Sequence, residues 1–374
     1  MPCVREAARR VAEVLRGRGP GTRAELVSVT GLSRPTVGSA LSELDRAGLI
    51  LEEPGASAGG RPAGVFRLTR KAGLAIGIDI GRRHLRVAVA DLGHTVLADQ
   101  AMRLDQDADD HPHIALHLAV QQVDRVLGEI GGGRTEVVGI GLGIPAPVTR
   151  QGRIGSPTLL PAWAHLVPAE ELKRRLDGLP VRVDNDANLG ALAEHTWGAG
   201  RDCADLVYVK IATGIGAGIV LDGRLYRGSA GTAGELGHVT LDASGPICRC
   251  GNRGCLELSA GGRALLAQAG LRDLDELARR AVEGDPGCRR LILDAGRHLG
   301  VALGGLLNLI NPDRIVVGEF ASSTELLLEP LRRGMAETAM AAAVESVEVV
   351  PAHLGERAAA LGGVALALGV DRVT

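Results

Sequence analysis

Cys248, Cys250 and Cys255 are spaced C-x-C-x4-C, and His238 stands ten residues before the first of them. Three thiolates and an imidazole suit tetrahedral zinc, and four protein ligands leave no open coordination position, so the metal expected here is structural. Gly251 and Gly254 allow so short a loop to double back. The competing use of these thiols is as small buried apolar groups, but the spacing, the glycines and the histidine favour a metal. Glu235 lies three residues before His238 and Glu257 two after Cys255, so a zinc knot would fix two acceptors and an imidazole around one point. With one ring nitrogen on zinc, the other is held as a rigid donor. Carboxylates beside a fixed N–H suit a polyhydroxylated ligand, whose hydroxyls donate to the acids and accept from the ring. Either acid alone would read as a solvated surface group.

A second polar constellation sits where Val181-Arg182-Val183-Asp184-Asn185-Asp186-Ala187-Asn188 runs from a strand into a helix that continues to about Trp197. Asp186 fits a general base toward a sugar hydroxyl, with Asn185 orienting it; helix capping is the alternative use of either side chain. The elements that must position these groups come in two similar sets. Residues 74–81 read as a buried strand ending in Asp79 and Gly81, followed by alternating strands at 85–91 and 95–97, a helix over 114–130 and a strand over 136–145. Residues 206–220 repeat the strand, a glycine turn at Thr213 and Gly214, and a second strand. Two such halves predict a duplicated, two-lobed α/β fold with a cleft between them.

Residues 1–70 have another texture. Val4, Ala8, Val11, Val14 and Leu15 mark a helix ended by the Gly17–Gly21 cluster, and Thr22 can cap a short helix through about Ser28. After a turn at Gly31, Ser33 caps a further helix with Pro35 in its first turn and Val37, Leu41, Leu44 and Ile50 along its apolar face. Strands near 49–52 and 65–68 flank a wing whose tip holds Gly59-Gly60-Arg61-Pro62. The pattern reads as a winged helix-turn-helix, in which Ser33, Arg34, Pro35, Thr36 and Ser39 would face the major groove and Arg61 an adjacent minor groove. A three-helix protein-interaction module is the competing reading. Eleven arginines against seven carboxylates give this head +4, leaving about −6 for the rest of a chain whose net charge is −2. A basic head on an acidic body points to a polyanion partner for the head alone.

The chain of 374 residues is long enough for two or three domains, and its 45% hydrophobic content supports large cores. Aromatics make up only 2%, so those cores must be built from Ala, Val, Leu and Ile. No apolar run approaches the roughly 20 residues of a membrane span. The basic start has no apolar signal region and the cysteines cluster as metal ligands, so a soluble cytoplasmic protein is expected.

The winged head, Asp79-x-Gly81, Asp184-Asn185-Asp186-Ala187-Asn188, Thr213-Gly214-x-Gly216-x-Gly218, Gly234-Glu235-x-Gly237-His238 and C-x-C-G-x-x-G-C-x-E from Cys248 to Glu257 together resemble the ROK family, named for repressor, open reading frame and kinase. The resemblance covers nearly the whole chain. It implies a two-lobed actin-like (ribonuclease H-like) fold of the sugar-kinase type behind a winged helix-turn-helix domain. The implied domains are 1–70 for the head, 71–184 for the first lobe joined by a C-terminal helix at 354–374, and 185–353 for the second lobe with the zinc motif. It also implies sugar contacts from Asn185, Asp186, Glu235, His238 and Glu257, zinc on His238, Cys248, Cys250 and Cys255, and Asp186 as the counterpart of the kinase base.

Departures from the family pattern separate repressor from kinase. Kinase members follow the first acid with a turn such as Gly-Gly-Thr-Lys, whereas this chain has Gly81-Arg82-Arg83-His84. Backbone N–H groups approach a phosphate closely only where side chains are absent. Ala212 precedes Thr213 and Gly214 where glycine is usual, and the adenosine-side turn, Gly-Gly-Gly in the family, reads Gly318-Glu319-Phe320. Asp79, Gly81, Thr213, Gly214 and Gly318 therefore read as a degenerate nucleotide site, with ATP and Mg2+ not expected. The expectation is a sugar-responsive transcriptional regulator, a repressor of carbohydrate metabolism genes, acting as a homodimer or homotetramer on an A·T-rich inverted repeat with a sugar or sugar phosphate effector. The alternative is an ATP-dependent kinase of a hexose or N-acetylhexosamine.

Overall fold

The computed structural model describes residues 5–55, 63–318 and 324–372. In the head, helix α1 (Glu6–Arg18) buries Ala8, Val11 and Leu15 of the expected set and Ala12 besides, while Val14 is only partly buried and Val4 lies outside the described residues. Helix α2 (Arg23–Thr30) starts in a capping box in which Thr22 and Glu25 satisfy each other's backbone N–H, and it stops at Gly31 with φ +65°. Helix α3 (Arg34–Arg46) is capped by Ser33 and buries Val37, Ala40, Leu41 and Leu44. Ile50, expected on that helical face, instead opens a strand, because α3 ends at Arg46 and Gly48 turns the chain at φ +68°. The wing has three strands, β1 (Gly21–Thr22), β2 (Ile50–Pro54) and β3 (Gly64–Leu68), in the order β1-β3-β2 and antiparallel throughout. Its tip, including Arg61, lies outside the described residues.

The body holds two five-stranded sheets. The first comprises β4 (Leu74–Ile80), β5 (His84–Asp91), β6 (Val96–Arg103), β7 (Val137–Ile144) and β8 (Val181–Asn185), ordered β6-β5-β4-β7-β8. The second comprises β9 (Leu206–Ile211), β10 (Ile215–Leu221), β11 (Arg224–Tyr226), β12 (Arg314–Gly318) and β13 (Glu348–Pro351), ordered β11-β10-β9-β12-β13. In each, the first three strands are antiparallel and the last two join in parallel. One winding order used twice is the duplication expected from the repeated strand-turn-strand pattern.

Helix Ala358–Leu368 packs on β4 and β7 of the first sheet, and helix Asp186–Trp197 on β9 and β10 of the second, and the two helices pack on each other. The seam is tight because small residues meet: a Cβ at Gly77 or Gly141 would collide with the backbone at Ala360 or Gly363. Separate apolar cores lie on the outer sides of the two sheets. A third is shared: Leu15, Leu44, Phe66 and Leu68 of the head are continuous with Ala88, Ala90 and Leu92 of the first sheet and with Leu361, Val364 and Leu368. Among the described residues no helix is long and apolar enough to cross a membrane.

Candidate functional site: a zinc knot beside an interlobe cleft

The ligand atoms of His238, Cys248, Cys250 and Cys255 all lie within 4.8 Å of one another. Cys250 and Cys255 Sγ are 3.7 Å apart, as are Cys248 Sγ and His238 Nδ1. Thiolates about 2.3 Å from a tetrahedral zinc stand about 3.8 Å from each other, so this donor set fits the ion in number, type and spacing. Burial and the two neighbouring thiols push Cys255 up to about 12, which a dication would reverse. Gly251 at φ +97° and Gly254 at φ +56° make the loop's reversals. His238 turns Nδ1 to the thiols and Nε2 to the cleft, 3.8 Å from Glu235 Oε2, the orientation that a metal-held donor arm requires.

Beside the knot is a cleft of about 340 Å³, lined by Asn185, Asp186, Glu235, His238 and Glu257 among others. All five sequence-expected sugar contacts thus reach one cavity. Asn185 does not orient Asp186, however. Its Oδ1 caps the helix, accepting from Ala187 N at 2.8 Å and Asn188 N at 3.2 Å. Asp186 is held instead by Lys210, whose Nζ donates to Oδ2 at 2.9 Å, while Oδ1 accepts from Ala187 N at 2.8 Å. Lys210 escaped the sequence reading, although its signal was present: it is a lysine inside the apolar central strand β9 and only 5% exposed. Glu257 Oε2 accepts from Ile215 N at 3.2 Å, and a Cβ on Gly214 would run into that carboxylate. Arg249, between two of the zinc ligands, lies 3.3 Å from Glu257 Oε1. Burial, with Asp186 and Glu257 as like charges, pushes Glu235 up to about 7, against the opposing pull of Arg249. Three carboxylates around one small space are suited to accept hydrogen bonds from hydroxyls.

At the first expected nucleotide turn, His84 folds back over Gly81 on the wall of the cleft. Its imidazole lies where a Cβ on Gly81 would be, and Nε2 is 3.0 Å from Asp79 Oδ2. Gly81 N donates to His84 O, closing the turn. Arg82 and Arg83 also line the cleft, and their guanidiniums reach to Asp107 and the Asp105 carbonyl. Burial alone would push Asp79 up, but Lys210, His84 and Arg86 outweigh it and hold the carboxyl below the ordinary range. In the second turn, the carbonyls of Ala212 and Thr213 accept from Gly262 and Arg263 N. At the third, Tyr208 occupies the space a Cβ on Gly318 would take; Glu319 and Phe320 lie outside the described residues.

In the head, Ser33, Arg34, Pro35 and Ser39 are exposed on α3 and Thr36 is partly so, opposite its buried face. Ser33 Oγ is also committed to capping, accepting from Thr36 N at 3.3 Å.

The ROK family model matches residues 75–370. The chain belongs to the ROK family. It is 30% identical over 356 residues to the xylose repressor of Bacillus subtilis (strain 168), covering 94% of this chain and 91% of that protein. A solved ROK family transcriptional regulator, described as a homologue of the E. coli MLC protein, superposes with a TM-score of 0.76 at 28% identity and covers 97% of this chain and 95% of its own. The ROK hexokinase from Thermus thermophilus is 34% identical with a TM-score of 0.63, but spans 79% of this chain while using 97% of its own. Full-length similarity is thus to repressors, and these relatives support a sugar-responsive transcriptional regulator of the ROK family with an actin-like body. Kinases of the family share the fold of that body.

Proposed function

We propose that this chain is a sugar-responsive transcriptional repressor whose cleft binds a sugar without phosphorylating it. The observation that carries this reading is the His84 imidazole over Gly81, hydrogen-bonded to Asp79 in the turn that a kinase would keep open for phosphate. The acceptors on the sugar side remain gathered around the cavity, and the full-length relatives carry repressor names. In this reading His238, Cys248, Cys250 and Cys255 hold a structural zinc that fixes the His238 arm and Glu257. Asn185, Asp186, Glu235, His238 and Glu257 bind the sugar, and α3 with the wing reads DNA. Because each head reads one half-site, a homodimer on an inverted repeat is the expected assembly.

Zinc would act here only as a structural ion. Sugar held by Asp186, Glu235, His238 and Glu257 of the second lobe against the first-lobe wall at Pro145, Ala146 and Pro147 would bias lobe closure. The deciding experiment pairs a coupled assay of ATP consumption over a panel of pentoses, hexoses and N-acetylhexosamines with gel shifts on an operator selected from random DNA. Negligible turnover and a sugar-dependent change in operator affinity are expected. Robust phosphorylation of any sugar would overturn the reading in favour of the kinase.

A further inference from the structure

A regulator of this kind must make the head respond to the cleft, and Arg227 lies where the two lobes and the support of the head meet. It follows β11 at the edge of the second sheet. Its Nε donates to Asp184 Oδ2 at 2.7 Å and its Nη2 to Asp371 Oδ2 at 3.0 Å. Asp184 belongs to β8 of the first sheet and directly precedes Asn185 and Asp186; its Oδ1 accepts from Asn185 N at 2.8 Å and Asn188 Nδ2 at 2.9 Å. Asp371 lies in the turn Val370–Arg372, where Arg182 grips it with two bonds of 2.8 and 2.6 Å. That same turn packs against α1 of the head. The carboxylates of Asp184 and Asp371 are only 4% and 3% exposed.

A buried carboxylate and a hollow border this junction. Fully buried Glu194 accepts from His353 N and Leu354 N, pinning the crossing from β13 to the C-terminal helix. Beside α1, a hollow of about 320 Å³ is bordered by Glu13, Arg16, Arg182 and Gly369.

We propose that Arg227 is a positioning residue that carries ligand-dependent lobe movement to the DNA-binding head. It holds at once the strand end presenting Asn185 and Asp186 and the C-terminal turn on which α1 rests. A planar guanidinium paired with two buried carboxylates resists separation, because pulling it free leaves uncompensated buried charge. Rotation of the second lobe about Glu194 therefore moves the Asp371 turn, and α1 with it. The inference rests on the regulator reading above.

The test uses the full-length protein, a sugar found to bind it, and its selected operator. Sugar affinity is read by calorimetry, and operator affinity by fluorescence anisotropy with and without saturating sugar. In Arg227→Gln, each separate affinity should stay within about threefold of wild type, while the sugar-induced change in operator affinity shrinks at least about fivefold, a typical allosteric coupling. Asp371→Asn should do the same. Unchanged coupling in Arg227→Gln overturns the inference, as does a parallel loss of both affinities that tracks a lowered melting temperature. If Arg227→Gln fails to fold, Arg227→Lys, which keeps the charge but loses the fork, is read by the same criteria. A wild-type protein that binds sugar and operator without linkage removes the regulator reading itself, and the role of Arg227 with it.

Discussion

At the scale of single residues, the pairing of Asp186 with Lys210 changes what a substitution should do. In a sensor, Asp186 need only accept a hydroxyl hydrogen bond, so Asp186→Asn should weaken sugar binding by roughly 1.5–3 kcal/mol, about ten- to a hundredfold. It also removes the counter-charge from a buried lysine, so the variant should melt at a lower temperature than wild type. Asp186→Asn with Lys210→Met separates the two effects: stability should recover in part, since buried Asp79 then loses the charge of Lys210, and sugar affinity should not recover. Recovery of both would mean that Asp186 only holds the fold. Asp186 itself stood out in the sequence as an acid at a strand-to-helix junction. Its partner did not, because Lys210 is distant in the chain and the capping power of Asn185 was equally compatible with orienting Asp186. His84 was likewise hidden behind the more conspicuous arginines of its turn, since sequence cannot say which of three adjacent side chains folds back over Gly81.

At the scale of elements, the zinc loop and α3 each support a prediction. Cys250→Ser should lose stoichiometric zinc by elemental analysis and, with it, both thermal stability and sugar response, because opening the tetrahedron frees the chain that carries Glu257. Finding no stoichiometric zinc in carefully purified wild-type protein would sink the assignment. On α3, Arg34→Ala should weaken operator binding by roughly 1–3 kcal/mol if it reads a base edge, and Arg61→Ala should do so mainly on sites with A·T flanks. Unchanged gel-shift affinity in both would remove this DNA interface. The elements themselves were largely legible: caps at Thr22 and Ser33, alternation in β5 and glycine turns after β4 and β9 are local signals. What was not legible was β1, whose two residues pair with β3 across more than forty positions, and the end of α3 before Ile50, where the apolar spacing ran on past the helix.

At the scale of the whole molecule, the head is welded to the first lobe around one histidine. His94 sits at φ +70° in a turn held by Asp91, its Nε2 donates to Arg16 O at 2.7 Å, and its ring meets Trp197 edge-on at 5.6 Å. Burial lowers its pKa against the weaker opposing effects of the Arg16 carbonyl and Asp91. The folded pKa therefore lies below the unfolded value of about 6.5, so the unfolded chain binds more protons in that window. Stability should be full above about pH 6.5 and fall as the pH drops through it. His94→Gln, which keeps an N–H for the Arg16 carbonyl, should flatten the fall in melting temperature between about pH 7 and 5 without abolishing it, because partly buried His195 titrates with the same sign. An identical pH profile in the variant would exclude His94 as the source. The shared core beneath this weld also bears on protein engineering. Leu15, Leu44, Phe66 and Leu68 share one apolar mass with Ala88, Leu92, Leu361 and Leu368, so the reading head is not a detachable bead. A chimera that grafts another head onto this body at residue 70 would meet an unmatched apolar surface, whereas one that also transplants the 86–94 hairpin and the 358–372 segment would bring its own seat.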